Sequence, residues 1–127
     1  MDKKLKDSLS KIKLLICDID GVLTDGSFIK STSGEELRSF NALDGVGFVV
    51  LRLLDLNVKT AWITGRESLT TTQRAEELQI DDVYNGVIRK IDAYNELKKK
   101  YELSDSEVCF IGAVSYTHLT LPTIYSV

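Results

Sequence analysis

The stretch Lys13-Leu14-Leu15-Ile16-Cys17-Asp18-Ile19-Asp20-Gly21-Val22-Leu23-Thr24-Asp25-Gly26 decides how the rest of the chain is read. Its first part is a short apolar run, which predicts a buried strand running into Asp18. In an extended chain, residues two apart point to the same side, so Asp18 and Asp20 share one side of the strand end. Two carboxylates placed together repel each other and lose hydration. Such a pair usually holds a cation between its members or keeps one member protonated. Carboxylates are hard oxygen ligands suited to Mg²⁺. The glycines that follow let the chain turn and approach a ligand closely. A bare Asp-x-Asp serves caps and turns equally well; the whole Asp-x-Asp-Gly-Val-Leu-Thr-Asp-Gly after an apolar strand is far more specific.

Outward from this stretch, short apolar runs alternate with amphipathic segments. Ser27 to Phe40 reads as two short extended pieces around a Gly-containing turn, a hairpin. Asp44 is positioned to cap a helix over Gly45 to Leu56. That helix is apolar on most sides and is expected to be well buried. Val58 to Ile63 is a second strand, ending at Thr64-Gly65-Arg66. Glu67 to Gln79 is a polar helix with Leu69, Ala75 and Leu78 facing inward. Asp82 to Tyr84 is a short third strand. Ile91, Tyr94, Leu97 and Tyr101 mark one face of the next helix. Ser104 and Glu107 have capping-box spacing ahead of a fourth strand, Val108 to Ile111. Strands alternating with helices predict an α/β fold with a parallel sheet, ligands binding at the carboxyl ends of the strands.

Length and composition fit one globular domain: 127 residues, 43% hydrophobic and 28% charged. The net charge of −3 gives no basic footprint for nucleic acid. No apolar run is long enough to span a membrane. Residues 1–12 form a basic N-terminal segment without an apolar signal region, and Leu5, Leu9 and Ile12 predict a short surface helix. Cys17 and Cys109, both inside apolar runs, read as reduced core cysteines of a cytoplasmic protein.

Two further pieces carry chemistry. Ile63-Thr64-Gly65-Arg66 offers a hydroxyl and open backbone amides ahead of a helix, a natural phosphate cradle. Lys90, at the start of the third helix of the sheet region, is placed to hold a phosphate and balance the two aspartates. Together with the first strand end, these pieces occur in one order at the ends of successive strands. In that order the chain resembles a phosphatase of the haloacid dehalogenase superfamily, and more closely the 3-deoxy-D-manno-octulosonate 8-phosphate phosphatases. The resemblance runs from about Lys13 to Gly112 and includes Gly34-Glu-Glu-Leu37, Phe40-Asn41, Asp44-Gly45, Arg74-Ala75 and Tyr84-x-Gly86-Val87 with Lys90.

The resemblance implies a Rossmann-like core with helices on both faces, a β-hairpin insertion after the first strand and no large cap domain. It implies that Asp18 is the nucleophile, forming an aspartyl-phosphate, and Asp20 the general acid and base. Mg²⁺ would sit on the Asp18 carboxylate and the Asp20 backbone carbonyl. Thr64 would bind the phosphoryl oxygens and Lys90 would stabilise Asp18 and the transition state. Asp20, Asn41, Asp44, Gly45, Arg66, Arg74 and Lys90 match substrate-binding positions, arginine suiting the sugar carboxylate. The implied setting is a cytoplasmic homotetramer packed through the hairpin, with a sugar-acid phosphate as substrate, no nucleic acid or membrane partner, and a role in making a lipopolysaccharide sugar.

Two departures qualify this. Leu43 and Val49 fall where family members often carry basic residues near the substrate, which keeps a nine-carbon sugar acid as an alternative; Arg66 after Thr-Gly favours the octulosonate. The larger departure follows Gly112, where the family carries Gly-Asp-Asp, the first of these acids completing the metal shell. Here no carboxylate follows Glu107, and the last 15 residues, which include His118 and Pro122, carry no charge. Residues 113–127 resemble translated adapter sequence and read as a non-native tail on an incomplete core of residues 13–112. The expectations are weaker Mg²⁺ binding, an outer edge of the fourth strand left partly uncovered, and a chain that is poorly soluble or inactive. The alternative is a fold retained as an assembly or binding module without catalysis.

Overall fold

A computed structural model describes residues 2–112 and 125–126. The reading of residues 113–127 as a non-native tail, with His118 and the missing acid, lies outside the described residues except at Tyr125 and Ser126. Five strands form a parallel sheet: β1 (Leu14–Asp18), β4 (Lys59–Ile63), β5 (Asp82–Tyr84), β6 (Val108–Gly112) and β7 (Tyr125–Ser126), in the order β5-β4-β1-β6-β7. The hairpin strands β2 (Ile29–Lys30) and β3 (Glu36–Leu37) pair antiparallel as a separate sheet. The helices are α1 (Lys3–Ser10), α2 (Ala42–Leu53), α3 (Leu69–Leu78) and α4 (Lys90–Tyr101).

Alternation along the strands divides the core between the two sheet faces. Leu14, Ile16, Ala61, Ile63, Val108 and Phe110 pack with Ala93, Tyr94 and Leu97 of α4 on one face. Cys17 and Trp62 pack with Ile19, Leu23, Phe48 of α2, and Ala75 and Leu78 of α3 on the other. Trp62 anchors that second cluster, stacked on Phe40 at 5.9 Å and edge-on to Phe48 at 5.7 Å between ring centroids. Both cysteines are free and buried, and burial pushes the Cys17 thiol up to about 12. A thiol so placed stays protonated and acts as a small apolar side chain.

The predicted element order and the hairpin are observed, with four differences in detail. The second helix begins at Ala42, not Gly45, because Asn41 is the cap: its side-chain oxygen accepts from the Leu43 N–H at 2.8 Å. Asp44 lies in the first turn instead. That helix is not well buried. Only Gly45 and Phe48 are, while Leu43, Val46, Val50 and Leu53 are exposed, since one narrow stripe reaches the sheet. In α3, capped by Ser68, Leu69 is exposed and Thr71 takes the inward place beside Ala75 and Leu78. Lastly, β7 pairs Tyr125 with Ile111 and Ser126 with Gly112, so the end of the outer edge of β6 is covered by backbone. An unpaired parallel edge offers N–H and C=O groups that any nearby extended segment can satisfy.

Candidate active site

The register of the sheet builds the site. Asp18, the last residue of β1, lies beside Ile63 of β4, and Ile63 beside Tyr84 of β5. The residues that follow these ends therefore meet at one rim, the carboxyl end of the sheet. There the Thr64 N–H donates to the Tyr84 carbonyl and the Val87 N–H to the Thr64 carbonyl, tying the two loops together. The turn after β1 requires a positive φ at Gly21, +85°. Thr24 closes that turn: its hydroxyl oxygen accepts from the N–H groups of Gly21 and Gly26.

Asp18 is 1% exposed. Its Oδ1 accepts from Lys90 Nζ at 2.7 Å and from the Ile19 N–H at 3.0 Å. Its Oδ2 is buried without a protein hydrogen-bond partner. Burial raises the Asp18 carboxyl above its ordinary value; Lys90 and the Ile19 N–H oppose that shift. Lys90 is itself buried, at the first position of α4. A buried carboxylate oxygen without a partner is costly unless something binds it. A hard divalent cation fits that oxygen. Among the described residues no three His, Cys, Asp or Glu side chains cluster. The resemblance implies the Asp20 backbone carbonyl as a second ligand.

Asp20 is held at both oxygens. Oδ2 accepts from the Thr64 hydroxyl at 3.2 Å, and Oδ1 from Arg38 Nε at 2.9 Å. The Thr64 oxygen also accepts from the Arg66 N–H at 3.2 Å. Arg66 extends over the Phe28 ring, 4.0 Å from its centroid, and pairs with Glu36 at 2.9 Å. Asp18, Asp20, Thr64, Arg66 and Lys90 are thus brought together. Asn41, Asp44, Gly45 and Arg74 form a second group. They line a small cavity with Phe40, Phe48 and Trp62, and Asn41 and Asp44 also border an open cleft of about 540 Å³ with Thr24 and Asp25. Arg74 donates to Glu77 at 3.0 Å. Of the two departures noted above, Leu43 is exposed and Val49 packs against the Trp62 cluster.

Sequence reasoning quoted Glu36 within Gly34-Glu-Glu-Leu37 without giving it a role, and did not single out Arg38. The available signal was their spacing, which puts both on one side of an extended hairpin arm.

No family model matches the chain. It is 41% identical over 103 residues to the 3-deoxy-D-manno-octulosonate 8-phosphate phosphatase KdsC of Yersinia pestis, covering 81% of this chain and 54% of that protein. Over this stretch the chain is similar to these phosphatases. It spans about half the length of the curated relatives it matches. The crystal structure of the Moraxella catarrhalis phosphatase, in complex with magnesium ion, phosphate ion and a KDO molecule, superposes with a TM-score of 0.81 at 33% identity, covering 89% of this chain and 64% of that one. The cobalt-bound phosphatase of Haemophilus influenzae superposes with a TM-score of 0.76 at 31% identity, covering 84% and 62%. The fold is that of the haloacid dehalogenase hydrolases, an open parallel α/β sheet.

Proposed function

We propose that the chain carries the catalytic core of a divalent-metal-dependent phosphomonoesterase acting on a sugar-acid phosphate, 3-deoxy-D-manno-octulosonate 8-phosphate first among candidates. One observation carries this reading: at the rim of a parallel sheet, a buried aspartate has one oxygen paired with a buried lysine and the other without a protein partner. The relatives' names supply the substrate class.

In this reading the Asp18 carboxylate attacks phosphorus and the sugar oxygen leaves, taking a proton from Asp20. Water then attacks the acyl phosphate, Asp20 accepts its proton, and phosphate departs from a regenerated Asp18. Of the Asp20 oxygens, Oδ1 faces the permanently charged Arg38. Oδ2 accepts from the Thr64 hydroxyl. Lys90 and Thr64 bind the phosphoryl group, while Arg66 and Arg74 take the sugar carboxylate. A bound Mg²⁺, on Asp18 and the Asp20 carbonyl, supplies charge neutralisation at the transferring group. The setting fits manufacture of a lipopolysaccharide sugar in the cytoplasm; among the described residues, no helix is long and apolar enough to cross a membrane.

The competing reading is a domain that keeps this fold without turnover. Phosphate release from the octulosonate 8-phosphate, measured on the chain rebuilt after Gly112 with a family-like C-terminus, separates the two. The expected result is turnover with Mg²⁺, none with chelator, and loss of at least about 10³-fold in Asp18→Asn, in line with removal of a covalent nucleophile. Turnover that survives Asp18→Asn removes the nucleophile assignment. Absence of Mg²⁺-dependent turnover selects the competing reading.

A further inference from the structure

We infer that Arg38, contributed by the hairpin, is the positioning residue for Asp20, and that Glu36 ties this clamp to Arg66. The inference rests on the proposed phosphatase reading and adds residues to it. The Arg38 side chain is 1% exposed. Arginine is seldom buried to that degree unless paired, because removing its charge from water is costly. Its Nε donates to Asp20 Oδ1 at 2.9 Å and its Nη2 to Glu36 Oε2 at 3.2 Å. The other Glu36 oxygen accepts from Arg66 Nη1 at 2.9 Å. One unbroken chain of charges therefore runs Asp20–Arg38–Glu36–Arg66.

The chain is braced from outside. The Glu36 carbonyl accepts from the hydroxyls of Ser68 and Thr70, each at 3.3 Å, which pins β3 to the start of α3. The Phe28 ring lies against both guanidinium groups, 5.5 Å from Arg38 and 4.0 Å from Arg66. Asp20 is thus gripped from two elements, by Arg38 of the hairpin and by Thr64 after β4. Its carboxylate has a single orientation before any substrate arrives. A staple that only fastened the hairpin would need apolar contact and no buried charge. Here the buried charge is directed at the carboxylate that passes the proton.

The side chain therefore acts through geometry, and a displacement of about 1 Å in such a group costs up to 10²-fold in rate. Arg38→Met is expected to lower kcat by about 10- to 10²-fold with KM within twofold. Arg38→Lys keeps the charge but not the planar fork, and restores part of kcat. Glu36→Gln loosens both arginines, so it raises KM and lowers kcat together. An unchanged kcat in Arg38→Met, or a change in KM alone, overturns the inference. A thermal-midpoint cycle over Arg38→Met, Asp20→Ala and the double variant needs no turnover. Non-additive shifts support the clamp and additive shifts overturn it. If the parent chain hydrolyses nothing, the phosphatase reading fails by itself, and the cycle still decides whether Arg38 holds Asp20.

Discussion

Lys90 and Asp18 form a buried pair, at 4% and 1% side-chain exposure, and each makes the other tolerable. Removing one partner leaves the other as an uncompensated charge in the interior. Lys90→Met is therefore expected to abolish turnover and to destabilise the fold by about 3–5 kcal/mol at pH 7 in metal-free buffer. The deficit has a predictable pH dependence. Burial already raises the Asp18 carboxyl, and Lys90 is what pulls it back. Without Lys90, the folded state holds a proton on Asp18 up to a higher pH than the unfolded chain does. The variant thus gains stability as the pH falls, and its deficit is smaller at pH 5 than at pH 7. Urea unfolding of both chains at the two pH values measures this; a deficit independent of pH contradicts it. At this scale Asp18, Asp20, Thr64 and Lys90 were legible because a strand end followed by a turn limits where a polar side chain goes. Arg38 and Glu36 were not. A charged residue in or just after a two-residue strand looks solvent-exposed until the fold shows what lies over it.

At the level of elements, α2 shows where periodicity misleads. An apolar run such as Val46 to Leu54 reads as a buried helix, yet burial is decided by how many neighbours the topology supplies. Here α2 meets the sheet through Phe48 and α3 through Gly45. A Cβ at Gly45 would come within 2.5 Å of Arg74 Nη2 and 3.3 Å of Leu78 Cδ2. The first of these is the free end of a flexible side chain, so it yields. Gly45→Ala is expected to leave the thermal midpoint unchanged or raised, since alanine is better than glycine by about 1 kcal/mol inside a helix. It is also expected to move the Arg74 guanidinium and raise KM for the sugar acid several-fold with little change in kcat. A fall in thermal midpoint of several degrees instead would show that Leu78, not Arg74, takes the strain. The capping residue was misread for a similar reason. Asn41 and Asp44 are both good caps, and only the backbone shows which one precedes the first turn.

For the whole molecule, the exposed apolar residues among the described ones include Ile29 and Leu37 of the hairpin and Leu43, Val46 and Leu53 of α2. Exposed apolar patches of this kind mark interaction sites. We propose, from the homotetramer that the sequence resemblance implies, that these residues mediate self-association. Val46→Lys with Leu53→Glu is expected to reduce the mass measured by light scattering while leaving the circular dichroism spectrum unchanged. An unchanged mass refutes the assignment. The α/β class and the succession of strands and helices along the chain were legible from alternating runs alone. The pairing of Tyr125–Ser126 with β6 was not, since two residues carry no periodicity.

The central position of β1 also governs the order in which the protein is made. This strand is synthesised first among the core strands, yet it pairs on one side with Lys59–Ile63 and on the other with Val108–Ile111. Contacts so distant along the chain are slow to form, because long loops must close before any pairing rewards them. As it leaves the ribosome, Leu14–Asp18 has neither flank, and the Asp18 carboxylate lacks Lys90. The candidate site is therefore among the last parts to mature, and the apolar β1 segment is the part a chaperone would need to shield until then.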